Sequence, residues 1–102
     1  MEKEITAKPS LSLEMKKYKV DRNNYFKVLN YVNGIRELER WGNNNSPFFI
    51  GAEGAIYFIT FPNFKKGHII YTKNLKLSKD EELNKRLIHD LENLLKTGAK
   101  ED

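Results

Sequence analysis

Hydrophobic and polar residues alternate near the N-terminal end of the chain, and the alternation changes parity once. Apolar residues occupy every second position over Leu11–Met15 and again over Tyr18–Val20, but on the opposite parity. Alternation is typical of a strand with one buried side, and one extra residue reverses the side that faces inward. The pattern therefore predicts a strand with a bulge near Lys16-Lys17.

The next segment, Tyr25–Val32, supports two different predictions. Its aromatic and β-branched residues favour a strand. Its valines also share one side of a helix that would run over Asp21–Trp41. Asparagine and glycine are unfavourable inside a helix, and Asn33-Gly34 is a turn signal. We favour a strand that ends at the turn, followed by a short helix over Ile35–Trp41, and the single helix stays open as the alternative.

The region Pro47–Leu77 is rich in aromatic and β-branched residues, and turn residues divide it into short runs. Such runs predict antiparallel strands joined by hairpins. The middle run is apolar on both parities, so we expect a central strand that is covered on both faces. After a loop over Gly42–Pro47, the three predicted strands are Phe48–Gly51, Ala55–Phe61 and His68–Leu75.

The last element is predicted to be an amphipathic helix. Ser78 and Glu81 have the spacing of a capping box at its start, and Gly98 is placed to cap its end. Leucines at helical spacing form one apolar stripe that would pack on the sheet. These leucines are Leu83, Leu87, Leu91, Leu94 and Leu95.

Together the elements predict an α+β fold with a small, curved antiparallel sheet, one short helix and the C-terminal amphipathic helix. The alternative is a strongly curved sheet that is barrel-like. A chain of 102 residues has room for one hydrophobic core. We assign residues 1–10 to a flexible lead-in, residues 11–98 to a single domain and residues 99–102 to a flexible tail.

Composition narrows the class of protein. The sequence contains no cysteine, which excludes disulfide bonds and thiolate metal sites. The N-terminal residues lack the apolar core of a secretory signal, and the apolar runs elsewhere are too short to span a bilayer. We therefore expect a soluble cytoplasmic protein that makes no contact with a membrane.

Charge is distributed unevenly along the chain. The net charge is +4, but Met15–Lys76 contains eleven Lys and Arg against four Asp and Glu, whereas Leu77–Asp102 contains five against seven. Basic side chains neutralise phosphates, and aromatic rings among them stack on bases. Two clusters combine both features and give the candidate nucleic-acid-binding residues Lys16, Lys17, Tyr18, Lys19, Arg22, Lys65, Lys66, His68, Tyr71 and Lys73.

These residues also fit other interpretations. Lysines on the edge of a sheet prevent edge-to-edge aggregation, which is a purely structural use of the same charges. Trp41 beside Arg40 is a candidate contact for a partner protein, although a single tryptophan at the end of an element also fits the edge of a core. For stacking on a base, either Tyr18 or Tyr71 would supply the ring.

The sequence contains no recognisable catalytic pattern. Gly51 and Gly54 are not followed by the Lys-Ser/Thr of a phosphate-binding loop. Neither His68 nor His89 has a metal-ligating neighbour three or four residues further on of the kind found in the HExxH motif. Glu53 lacks the partner that acid–base catalysis needs. We therefore predict a protein that is not an enzyme and that has no catalytic residues, no metal and no cofactor.

The predicted function is a small nucleic-acid-binding regulator that contacts RNA or another single strand through a basic sheet surface with aromatic residues. Single strands are favoured because no helix with a basic recognition face is recognisable. The alternative is a non-enzymatic protein–protein interaction module, either an accessory or an inhibitory partner. Both functions are compatible with a homo-oligomer.

Overall fold

Two helices pack against one side of an antiparallel sheet. The structure is a computed structural model that describes residues 14–60 and 66–100. It confirms the predicted α+β class. The elements in chain order are β1 (Met15–Asp21), α1 (Arg22–Asn33), β2 (Glu39–Gly42), β3 (Pro47–Ile50), β4 (Ala55–Thr60), β5 (Lys66–Thr72), α2 (Glu81–Gly98) and β6 (Ala99–Lys100).

The strands lie in the order β2-β3-β4-β5-β1-β6, and every neighbouring pair is antiparallel. Among the described strands, β2 and β6 are the two edges of the sheet and do not pair with each other. The sheet is therefore open, and the barrel-like alternative is not realised in the part of the chain that the structure describes.

The bulge predicted near Lys16-Lys17 is wrong. Strand β1 pairs with β5 at every position from Met15, opposite Thr72, to Asp21, opposite Lys66. The change in parity has another cause, because apolar residues lie on both faces of the strand: Val20 is fully buried, whereas Met15 is 37% exposed. The leucines at positions 11 and 13 lie outside the described residues.

Helix α1 occupies the segment for which we favoured a strand over Tyr25–Val32, so that prediction is wrong. Asp21 caps the helix, because its carboxylate accepts a hydrogen bond from the Asn24 amide at 2.8 Å. The Gly34 amide closes the other end by donating to carbonyls of the last turn. The helical alternative is realised, but it stops before Gly34 and does not reach Trp41.

Burial explains why helix formation prevails over strand propensity here. Tyr25, Val28 and Val32 share one side of α1 and are almost fully buried in the core. Asn24 is also buried, and its side-chain amide donates to the carbonyl of Leu94 in α2. An asparagine that is unfavourable for helix formation therefore connects the two helices.

The short helix predicted over Ile35–Trp41 is also wrong, because a turn is followed by β2. This strand forms four residue pairs with β3. The loop between them is the one predicted from the sequence, and the Asn43 side-chain oxygen closes it by accepting hydrogen bonds from the amides two and three residues further on. Gly42 begins the turn with φ of 83°, a conformation that glycine adopts without strain.

Strands β3, β4 and β5 confirm the three predicted strands, and their bounds differ from the prediction by at most three residues. Strand β4 is central, as predicted, but the expectation that it is covered on both faces is wrong. Ile56 and Phe58 are fully buried, whereas Tyr57 and Ile59 on the opposite face are only half-buried. The connection over residues 61–65 lies outside the described residues.

Helix α2 confirms the predicted C-terminal helix and its apolar stripe. Leu91 and Leu95 are fully buried, and Leu87 and Leu94 pack against the same core. Only the first leucine of the stripe, Leu83, remains exposed, with 39% of its surface accessible. The stripe therefore attaches the helix to the sheet over its second half in particular.

The capping box predicted for Ser78 and Glu81 is wrong. Asp80 caps α2 instead, because its carboxylate accepts a hydrogen bond from the Leu83 amide at 3.0 Å. The Ser78 hydroxyl donates to the Glu37 carboxylate and accepts from the Asp80 amide. Ser78 thus attaches the start of α2 to the turn that follows α1.

Strand β6 extends the sheet beyond α2. Ala99 pairs with Val20 and Lys100 with Lys19 of β1. The predicted boundary between the domain and a flexible tail, placed at residues 98 and 99, therefore does not coincide with the end of the sheet. The lead-in predicted over residues 1–10 and the last two residues of the predicted tail lie outside the described residues.

Candidate functional site

The two faces of the sheet have different surroundings, because successive side chains of a strand point to opposite sides. Phe58 of β4 meets the Tyr25 ring of α1 edge-on, with 5.6 Å between the ring centroids. Tyr71 of β5 donates a hydrogen bond to Glu92 of α2. We call this side of the sheet the covered face, and the opposite side, on which neither helix packs, the open face.

One residue from each of five neighbouring strands forms a line across the open face. The pairing register places Trp41 opposite Phe48, then Tyr57, Ile70 and Lys17 in turn. Directly paired residues of antiparallel strands point to the same side. Three aromatic rings, an isoleucine and a lysine therefore share the open face. We call Trp41, Phe48 and Tyr57 the aromatic row.

The rings of the aromatic row differ in how accessible they are. Phe48 and Tyr57 stack on each other, with centroids 5.2 Å apart and ring planes 18° from parallel. Trp41 lies on the edge strand β2 and is 50% exposed. Phe48 and Tyr57 are half-buried, and an exposed ring next to partly exposed ones is the kind of apolar surface that often marks an interaction site. Phe48 and Tyr57 are not among the site residues predicted from the sequence, although the run around Tyr57, which is apolar on both parities, signals side chains on both faces.

Four of the predicted nucleic-acid-binding residues lie on the open face beside the aromatic row. His68 pairs with Lys19 and lies on the same side as Lys17. Lys66 has the same parity as His68 in β5. Lys17 and Lys66 are exposed, whereas Lys19 and His68 are half-buried. These four residues bring parts of both predicted basic clusters onto one surface.

Three other predicted residues lie on the covered face and are held there. Tyr71 is 2% exposed, its hydroxyl lies 3.1 Å from Glu92 Oε2, and burial raises the pKa of Tyr71. Lys16 Nζ forms an ion pair with the same carboxylate oxygen at 3.0 Å. The Tyr18 ring lies parallel to that of Tyr71, with centroids 6.0 Å apart. Tyr71 therefore has no ring face available to a base, whereas Tyr18 packs on it and is half-buried on the covered face.

Two further predicted basic residues, Arg22 and Lys73, lie away from the line. Arg22 begins α1, and its guanidinium lies 5.9 Å from the centroid of the Phe26 ring. Lys73 follows β5 and forms an ion pair with Glu14 at 2.7 Å. The hydrogen bond from Lys73 lowers the pKa of Glu14. Lys65 lies outside the described residues.

The two candidate partner-binding residues, Trp41 and Arg40, are adjacent in β2 and point to opposite faces. Arg40 pairs with Phe49 on the covered side, and its guanidinium lies 6.0 Å from the Phe49 ring centroid. Trp41 pairs with Phe48 on the open face. The structure therefore does not combine the two into one contact surface.

The layer formed by the helices contains two shallow grooves. One, of about 440 Å³, lies between α1 and the second half of α2, and the other, of about 450 Å³, lies between the turn after α1 and the first half of α2. Tyr31 lines both, and its hydroxyl donates to the Leu87 carbonyl. Neither groove includes a residue of the open face, so they are separate from the aromatic row.

The chain matches no protein-family model, no curated protein and no solved structure. Over residues 14–60 and 66–100, no three His, Asp or Glu side chains form a group that could hold a metal ion. No helix in those ranges is long and apolar enough to cross a membrane. The open face, with its aromatic row and its lysines, is therefore the candidate functional site on the basis of its geometry.

Proposed function

We propose that this protein binds single-stranded nucleic acid, RNA in particular, through the open face of its sheet. The observation that carries the proposal is the line from Trp41 to Lys17, which combines aromatic rings with a cation on a surface that neither helix covers. Proteins that bind single strands use this combination, in which rings stack on bases and cations neutralise phosphates.

The distribution of charge supports the sheet as the binding side. Lys17 and Lys66 are exposed on the open face, whereas the first turn of α2 carries the exposed acids Glu81 and Glu82. A polyanion is attracted by the first pair and repelled by the second, although exposed Lys79 and Lys85 lie near these acids in the sequence. A single strand suits the open face better than a duplex does, because only unpaired bases offer their flat faces to a ring.

We extend the proposal to a regulatory and non-enzymatic role in the cytoplasm. Occupying a single-stranded segment of RNA is sufficient to alter the access of other factors to it. A chain without cysteine is compatible with a reducing compartment. This role needs only binding, which makes affinity for RNA the property to measure.

The test is the anisotropy of a fluorescently labelled, unstructured 12-nucleotide RNA titrated with the protein at several salt concentrations. We expect the logarithm of the binding constant to fall linearly with the logarithm of the salt concentration, with a slope of about −0.7 per phosphate contact. The combined variant Lys17→Glu and Lys66→Glu should weaken binding at least tenfold. The matched control, Lys79→Glu with Lys85→Glu, changes two exposed lysines of the helical layer and should have a much smaller effect.

Two results would overturn the proposal. No RNA binding at low salt would exclude it directly. Equal losses from the open-face pair and from the helical pair would show that net charge, and not this surface, attracts the RNA. In the first case a salt-insensitive association with a protein through Trp41 would become the better explanation of the exposed apolar surface.

A further inference from the structure

The line across the open face has different chemistry at its two ends, and we infer from this how a ligand lies on it. We propose that a single strand crosses the β-strands, with a base stacked on Trp41 at the β2 edge and its backbone phosphates near Lys17 at the β1 side. This inference rests on the proposed function and specifies the orientation and the minimum length of the RNA.

The polarity of the line comes from its charged neighbours. At the β1 end, the exposed Lys17 lies two residues from Lys19, and both point to the open face. Asp21 follows on the same face, but its carboxylate accepts a hydrogen bond from the Asn24 amide. At the β2 end, Glu39 pairs with Ile50 and is an exposed acid two residues from Trp41 on the same face. A phosphate is therefore attracted to the first end by two lysines and repelled from the second by Glu39. We expect the strongest phosphate contact at β1 and the contact of an uncharged base at β2.

Trp41 is the ring that can accept this base. Phe48 and Tyr57 already stack on each other at 5.2 Å, so each uses one of its faces inside the pair. Trp41 ends the row on an edge strand and is half exposed. A base that stacks there extends an existing row of rings. Trp41 is the single tryptophan of the sequence, so tryptophan fluorescence reports on this position alone.

The spacing of strands gives the length of ligand that reaches both ends. Trp41 and Lys17 are separated by four strand intervals, which is about 19 Å at the usual distance between neighbouring strands. A stacked strand advances ~3.4 Å per nucleotide, so about six nucleotides cover the line. A mononucleotide or a dinucleotide reaches one end only.

The experiment measures the two ends separately, with oligouridylates of one to ten nucleotides as probes. Quenching of Trp41 fluorescence reports stacking at the β2 end, and the dependence of affinity on salt reports phosphate contacts. We expect affinity to rise steeply up to about six nucleotides and then to level off. Quenching at saturation should be strong for the hexamer and weak for the dinucleotide.

Two variants divide the binding energy between the ends. Trp41→Ala should lower the affinity for a labelled hexamer about 5- to 150-fold, the usual range for one stacked base, and should leave the salt slope unchanged. Lys17→Gln should reduce the magnitude of the slope by about 0.7 and leave the quenching of Trp41 at saturation unchanged. Trp41→Phe, which keeps a ring, should recover part of the loss.

The outcomes distinguish this inference from the function on which it rests. Salt-dependent RNA binding without quenching of Trp41 and without a step near six nucleotides would overturn the crossing orientation and would leave RNA binding intact. A smaller salt slope in Trp41→Ala would also overturn it, because it would place phosphates at the β2 end. The absence of any binding would remove the proposed function itself. The quenching measurement uses the unmodified protein, so it shows whether a base stacks on Trp41 even if Trp41→Ala fails to fold.

Discussion

The covered face and the open face are made from the same strands, yet adjacent residues on them have different surroundings. Phe58 and Tyr57 follow each other in β4, and the first is fully buried whereas the second is half-buried. Lys16 and Lys17 follow each other in β1, and the first is ion-paired with Glu92 whereas the second is exposed. The alternation of side chains is sufficient to produce both differences.

The difference between the faces separates the residues that stabilise the fold from those that remain available to a ligand. On the covered face, Phe49 and Phe58 meet edge to face at 5.8 Å and are enclosed by the core. On the open face, Trp41 keeps half of its surface in contact with solvent. Burying that apolar surface would release further free energy, which makes the open face the place where binding can be favourable.

The largest effect on stability should come from the covered face. Phe58→Ala removes a fully buried ring and should lower the free energy of unfolding by about 3–5 kcal/mol. Tyr57→Ala removes a half-buried ring that stacks on Phe48 and should cost about 1–2 kcal/mol. Chemical denaturation of both variants, analysed with a common slope, measures the difference.

Equal losses of stability in the two variants would contradict the assignment of Phe58 to a covered face and Tyr57 to an open one. That result would mean that Tyr57 is as well covered in solution as Phe58, for example by a second copy of the chain on the open face. Repeating the denaturation at several protein concentrations separates the two cases, because the stability of an oligomer depends on concentration.

Local signals were sufficient to predict part of this fold. Leucines at helical spacing located α2, and glycines located the turn between β3 and β4. The signals failed over Tyr25–Val32, where strand propensity and the helical spacing of Val28 and Val32 disagree. Burial of this segment against the rest of the core favours the helix, and that burial depends on distant residues that no local pattern reveals.

The sequence predicted the types of residue in the candidate site, lysines and aromatic rings, but not their arrangement on one face. Lys16, Lys17 and Lys19 are close together in the sequence. The bulge that was predicted near Lys16-Lys17 would change which of these lysines share a face, so the sequence did not predict that Lys17 and Lys19 point to the same side. The aromatic row depends on the register of two successive strand pairings, β2 with β3 and β3 with β4. A shift of one residue in either of them would send a ring to the other side, and register is fixed by the packed structure as a whole.

A smaller effect is expected from the polar contact on the covered face. Glu92 accepts hydrogen bonds from Lys16 and from Tyr71, at 3.0 and 3.1 Å, and thereby connects α2 to β1 and β5. Glu92→Gln keeps the size of the side chain and removes its charge. We expect the free energy of unfolding at pH 7 to fall by about 1–2 kcal/mol, since hydrogen bonds that involve a charged group exceed neutral ones.

The pH dependence of this loss identifies its cause. The hydrogen bond from Lys16 above all, with that from Tyr71, lowers the pKa of Glu92 below its ordinary value of 4.5. The folded state therefore favours the charged form, and the stabilisation is complete above pH 4.5 and is lost as the pH falls through the lower pKa of the folded state. The difference between the wild type and Glu92→Gln should shrink over that acid range. A difference that stays constant to pH 2 would show that packing, and not charge, is responsible.

We expect the smallest effects on stability at the neighbours Lys16 and Lys17. Because they are adjacent in β1 and point to opposite faces, they test most directly how the two faces differ. Lys16→Gln breaks the ion pair with Glu92, in which the lysine side chain is 37% exposed, and should cost about 0.5–1 kcal/mol while leaving RNA affinity unchanged. Lys17→Gln, on the open face, should change stability by less than about 0.5 kcal/mol and should weaken RNA binding. Thermal unfolding and anisotropy titration of the same samples provide both quantities. The opposite pattern would mean that the two faces have been assigned the wrong way round, and equal losses of affinity would mean that RNA responds to total charge and not to the face that presents it.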